Sequence, residues 1–131
     1  MLSKTDKNEQ VGWQVAVDCY NCDRQLINNQ QKLEEFTSLI CEMIDAKIVS
    51  KDYYLFEPYG ISSYAIITKS HIAIHTWPEY GFLAVDIFTC SGKIAPAVPM
   101  FIKQFMNADK VVVNSFDRGE LINHENNLAE F

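Results

Sequence analysis

The spacing of apolar residues changes several times along the chain, and each change predicts an element. From Gly12, the residues Trp13, Val15, Val17 and Cys19 alternate with Gln14, Ala16 and Asp18, the two-residue period of a half-buried strand. Asn21, Asp23 and Asn28–Asn29 then supply loop and helix-cap chemistry. Between about Gln30 and Ala46 the period becomes helical: Leu33, Phe36, Ile40, Met43 and Ile44 share a face from which Lys32, Glu34, Glu35 and Glu42 are excluded. Lys47 to Phe56 reads as extended, and Glu57-Pro58-Tyr59-Gly60 breaks it with a fixed φ and a turn glycine. Ile61–Thr68 and His71–Trp77 predict two more strands. Pro78-Glu79-Tyr80-Gly81 predicts a turn, and Phe82–Cys90 a further strand.

A second helix is expected between Ile94 and Asn107, with Ile94, Val98, Phe101 and Phe105 on one stripe and Pro96 and Pro99 in or before its first turn. Lys110–Asn114 reads as a short last strand. Runs of strands with two amphipathic helices predict an α+β two-layer sandwich, an antiparallel sheet with both helices on one face. No residues remain to cover the opposite face. A second copy of the chain would cover it, so a homodimer is expected. The expected organisation is a flexible N-terminus (1–11), one domain (12–116) and a polar C-terminal tail (117–131).

Composition narrows the function classes. The 131 residues are 48% hydrophobic and 21% charged, which suits a globular domain and not a disordered one. Eleven basic residues scattered among seventeen acidic ones give a net charge of −6, so no stripe neutralises a phosphate backbone and nucleic acid is not an expected partner. No apolar run has the length of a membrane span and the first ten residues lack the apolar core of an export signal, so a cytoplasmic location and reduced thiols are expected.

Four groupings bear on chemistry. Cys19-Tyr-Asn-Cys22 has the spacing of half a zinc site, but no second pair stands at a matching distance, so two small residues at a strand end is the simpler reading and no metal is expected. His71 and His75 share a face on a strand, and the glutamate of a metalloprotease motif is missing between them. Cys90, closing an apolar strand, carries no signal alone. Ser62, Ser63, Thr68 and Ser70 read first as turn and cap hydroxyls. A triad of Ser70, His75 and Glu79 would crowd into ten residues without nucleophile-elbow glycines.

Taken together, these groupings carry more. The stretch Gly60-Ile-Ser62-Ser-Tyr-Ala-Ile-Ile-Thr-Lys69-Ser70-His71-Ile-Ala-Ile-His75-Thr-Trp-Pro-Glu79-Tyr-Gly, running on to Val85-Asp-Ile-Phe-Thr-Cys90, closely resembles the small prokaryotic S-adenosylmethionine decarboxylases, as do Gly12-Trp, Cys19-Tyr-Asn-Cys22-Asp and Phe56-Glu-Pro-Tyr-Gly60. The likeness runs over roughly residues 12–120. It implies a proenzyme that cuts itself between Lys69 and Ser70: the serine hydroxyl attacks the preceding carbonyl, amide becomes ester, β-elimination leaves dehydroalanine, and hydrolysis gives a pyruvoyl group and ammonia. That cofactor, derived from Ser70, forms a Schiff base with the substrate's α-amine and serves as an electron sink while CO₂ leaves.

By the same resemblance, Ser62 and His75 assist processing, with His75 moving a proton. Cys90 protonates the substrate carbon, and Glu79 faces the nucleoside ribose. A hairpin turning at Gly60 is expected to bring Ser62 toward Ser70. The product would be the aminopropyl donor of spermidine synthesis.

The chain departs from the family pattern at Lys69, where glutamate precedes the cleaved serine, and more mildly at Ser63-Tyr64. Two unit charges about 6 Å apart interact by roughly 3 kcal/mol at an effective dielectric near 20, so an ammonium in the pocket would repel a sulfonium. Three readings therefore stand at this point. They are a decarboxylase of S-adenosylmethionine, a pyruvoyl decarboxylase of another amino acid such as arginine or ornithine, and an uncleaved member acting as a binding or regulatory module.

Overall fold

A computed structural model describes residues 11–122. The order is β1 (Gly12–Tyr20), a 3-10 turn (Leu26–Asn28), α1 (Gln30–Met43), β2 (Ile48–Leu55), β3 (Ile61–Ile67), β4 (Ser70–Trp77), a second 3-10 turn (Pro78–Tyr80), β5 (Phe82–Thr89), α2 (Ala97–Phe105) and β6 (Lys110–Arg118). The six strands form one sheet in the order β2-β3-β4-β5-β1-β6, every pair antiparallel.

Alternation fixes which side each strand buries. Val15, Val17 and Cys19, Ile61, Ala65 and Ile67, Ile72 and Ile74, and Leu83, Val85 and Ile87 all turn inward and are almost fully buried. They meet Leu33, Phe36, Ile40 and Cys41 of α1 and Val98 and Ile102 of α2. Phe36 joins the helices, its ring centroid 5.9 Å from that of Phe101 and 5.2 Å from that of Phe105. Each Val, Leu, Ile or Phe among them contributes on the order of 1.5–3 kcal/mol by leaving water. Both helices therefore lie on one face, as the periodicity predicts.

The helix boundaries follow local chemistry. Asn29 caps α1, its Oδ1 accepting from the Lys32 N–H at 3.0 Å. The helix ends three residues before Ala46: Asp45 takes φ +55° and the Ala46 N–H bonds the Cys41 carbonyl at 2.9 Å. α2 starts only at Ala97, because Pro96 precedes it as cap and Pro99 fits its first turn.

The last strand is longer than expected. It runs to Arg118, pairing Asp117 with Trp13 and Arg118 with Gly12, so two residues assigned to the tail belong to the sheet edge. The remainder of the expected N-terminus (1–10) and tail (123–131), with His124, lies outside the described residues.

The sheet face away from the helices carries Tyr64, Ile66, Trp77, Tyr20, Val112 and Phe116, each more than a third exposed. Its register aligns Tyr54, Ser62, His75, Ala84, Asp18 and Val112 in one row across all six strands. No described helix is long and apolar enough to cross a membrane.

Candidate active site

The β3–β4 hairpin decides where the candidate residues fall. Its loop is only Thr68 and Lys69, so Ile67 pairs with Ser70 and the register then sets Ser62 opposite His75. Their side chains meet: Ser62 Oγ and His75 Nδ1 share a hydrogen bond of 2.9 Å. Thr76 and Asn28 hold the start of β3 in place, Thr76 Oγ1 accepting from the Ile61 N–H and Asn28 Oδ1 from the Gly60 N–H, both at 2.9 Å. Gly60 sits at φ +107°, with the Thr76 carbonyl 3.3 Å from where a Cβ would stand, so glycine is required.

A cavity of about 370 Å³ opens beside this pair, lined by Phe56, Pro58, Ser62, His75, Trp77 and Glu79 among others. A second recess of about 290 Å³, with Tyr54, Tyr64 and Ala73, lies on its other side. Glu79 is exposed and follows Pro78 in the turn that leaves β4. A carboxylate, an imidazole and aromatic faces around one cavity suit a polar ligand carrying a flat ring.

Ser70 and Cys90 form a separate group at the other end of β4. Ser70 has φ +137°, a region that residues with a Cβ rarely occupy and that costs about 1–3 kcal/mol. The carbonyl of Lys69, which opens the peptide bond into Ser70, is held by Cys90 twice: the Cys90 N–H donates to it at 3.0 Å and the thiol at 3.4 Å. Two donors converging on a carbonyl stabilise the negative charge that appears on its oxygen when a nucleophile adds. That backbone donor is a contribution sequence reasoning missed, since an N–H belongs to every residue type but proline.

Two expectations need correction. Ser62 does not approach Ser70. The two-residue loop pairs it with His75, five residue steps along β4 from Ser70, about 16 Å at ~3.3 Å per residue. Nor does the Lys69 ammonium stand free to meet a ligand: Nζ donates to the Ile44 carbonyl at 3.3 Å and lies 4.0 Å from the Asp45 carboxylate. His71 shares a face with His75 as expected, and its ring stacks on Phe88 at 5.8 Å.

Cys19 of β1 and Cys22 just beyond it are buried, and all four cysteines are thiols. Cys22 donates to the Cys19 carbonyl at 3.6 Å. The contact between the two sulfurs pushes the Cys19 thiol up, reinforced by burial, and draws Cys22 down. Among the described residues no three His, Cys, Asp or Glu side chains gather as a metal site.

The sequence profile of the S-adenosylmethionine decarboxylase family matches residues 13–119, and the chain belongs to that family. It is 36% identical over 110 residues to the S-adenosylmethionine decarboxylase proenzyme of Thermotoga maritima, covering 83% of this chain and 85% of that protein. It is 33% identical over 111 residues to the proenzyme of the same name from Clostridium botulinum, covering 84% and 96%. The crystal structure of the adenosylmethionine decarboxylase of Aquifex aeolicus superposes with a TM-score of 0.77 at 27% identity, over 91% of this chain and 98% of that one.

Proposed function

We propose that this chain is a self-processing, pyruvoyl-dependent decarboxylase of S-adenosylmethionine that supplies the aminopropyl donor for spermidine synthesis. One observation carries the reading: Ser70, at φ +137°, follows a carbonyl on which the Cys90 N–H and thiol converge. Attack by Ser70 Oγ on that carbonyl forms an ester and frees the Ser70 nitrogen. Cys90 steadies the oxyanion on the way, and relief of backbone strain favours the step. Loss of the Ser70 α-proton then expels the Lys69 carboxylate, and addition of water with release of ammonia leaves the pyruvoyl group. The serine's position, at the entry of a strand and beside a thiol, fits that group. Bound there, it supplies an electron sink for CO₂ loss.

The chain's other residues take the remaining tasks. Cys90 is the donor suited to protonate the substrate carbon. Glu79, with Phe56 and Trp77 around the 370 Å³ cavity, suits the ribose and base of the nucleoside. Ser62 and His75 form the proton-moving pair.

That pair is too far from Ser70 to serve it within one chain. We infer that it serves a second copy: a homodimer packed through the open sheet face would cover Ile66, Trp77 and Phe116 and set one copy's Ser62–His75 against the other's Ser70. Four unbridged thiols suit the reducing cytoplasm. The reading is tested by mass spectrometry of the purified chain, followed by release of labelled CO₂ from S-adenosylmethionine, arginine and ornithine in parallel. Fragmentation at Lys69–Ser70 with release from S-adenosylmethionine alone is expected; release from arginine or ornithine instead would overturn the substrate.

A further inference from the structure

We propose that Lys69 is a positioning residue for cleavage of its own peptide bond. Its ammonium, bound at the C-terminal end of α1, anchors the turn that presents the Lys69–Ser70 bond. So placed, the charge is withdrawn from the substrate. The proposal rests on the self-processing reading above and names what holds that bond in place.

Three observations converge. α1 carries no basic residue in its own last turn, and its exposed carbonyls favour a cation there. Lys69 supplies one from 25 residues away: Nζ reaches the Ile44 carbonyl at 3.3 Å and lies 4.0 Å from the Asp45 carboxylate, and its side chain is only 27% exposed. The same segment grips the turn a second time. The Lys47 N–H donates to Thr68 Oγ1 at 3.0 Å and the Thr68 N–H to the Lys47 carbonyl at 2.9 Å. Residues 44–47 thus clasp 68–69 through two side chains, those of Lys69 and Thr68, and one backbone–backbone bond. Immediately beyond the clasp stands Ser70 at φ +137°.

On the far side, Cys90 holds the Lys69 carbonyl. The reacting peptide is therefore pinned from both directions, by the helix through the Lys69 side chain and by Cys90, just past β5, through the carbonyl. A strained φ persists only where its surroundings determine it, and this clasp is what determines it here. A glutamate in place of Lys69 would set a carboxylate against the Ile44 carbonyl and Asp45, so in this chain the lysine and the end of α1 match each other.

The test compares Lys69→Met, Lys69→Arg and Lys69→Glu in the full chain with two readouts. In uncleavable protein carrying Ser70→Ala, amide exchange at Lys47, Thr68 and Cys90 should quicken about tenfold with Lys69→Met, relative to amides of β1 and β5, and Lys69→Arg should restore protection. In cleavable protein, fragments should appear about tenfold more slowly with Lys69→Met and more slowly still with Lys69→Glu, while KM for S-adenosylmethionine in the processed fraction stays unchanged.

Unchanged exchange and cleavage with Lys69→Met would overturn the proposal. So would a fall in KM with cleavage unaffected, because the ammonium would then face the substrate. A wild-type chain that never cleaves would sink the decarboxylase reading, and the exchange comparison, made on uncleaved protein, would still decide the anchor.

Discussion

At its Ser70 end, β4 holds a peptide bond under backbone strain, its carbonyl gripped by Cys90, with neither Ser62 nor His75 near it. At its Trp77 end, the same strand holds His75 in contact with Ser62 of β3 beside an aromatic cavity. One end has the Lys69–Ser70 bond and two donors on its carbonyl; the other has the Ser62–His75 contact and the cavity. On the proposed reading these are two half-sites, each lacking what the other has, and the uncovered sheet face between them is where two copies would complete one another.

The largest effect is expected at Ser70. Replacing Ser70 with alanine removes the nucleophile, so no fragments should form at any incubation time in intact-mass spectra. Next in size is the proton carrier. His75→Ala should slow fragment formation by about 10²–10⁴-fold, the range over which a positioned acid or base acts. Coproducing that variant with Ser70→Ala sharpens the point. A mixed dimer unites the Ser70 of one copy with the intact Ser62–His75 of the other, so cleavage of the His75→Ala chain should return. No rescue would confine each site to one chain.

A smaller effect is expected at Cys90. Cys90→Ala leaves the backbone N–H on the Lys69 carbonyl and removes only the weaker thiol donor, so cleavage should slow by about tenfold. Cys90→Ser should cleave near the normal rate yet turn over substrate poorly, because a hydroxyl is a far weaker acid than a thiol. Smallest is Asn28→Ala, which frees the Gly60 N–H at the entry to β3 and should lower stability by about 1 kcal/mol in urea unfolding without stopping cleavage.

Most of the architecture was legible because burial imposes a period. β1, β3, β4 and β5 bury one face each and α1 shows a helical stripe, so all five stood out. β6 is longer than its apolar pattern predicts: at the sheet edge its residues from Val112 to Arg118 are exposed, and backbone pairing with β1 extends it with no apolar pattern to mark it. The short 3-10 turn at Leu26–Asn28 gave no periodic signal either.

The site residues were legible as a motif, but their division into two groups was not. That division depends on a two-residue loop that fixes Ser62 against His75, and register is not written in residue identity. The same holds for the Cys90 N–H on the Lys69 carbonyl and for the contact of Lys69 with α1, formed between segments far apart in sequence. The expected repulsion between Lys69 and a sulfonium assumed a side chain aimed at the pocket. The end of a helix, with carbonyls lacking a cation of their own, directed it elsewhere.

The central claim is that the bond between Lys69 and Ser70 rearranges in the folded protein, and intact-mass spectrometry of freshly purified and long-incubated wild-type chain tests it most directly. The account predicts two fragments divided at that bond, the later one lacking a free α-amine and carrying a ketone in place of Ser70. A single chain with an unmodified serine at position 70 after long incubation would contradict it.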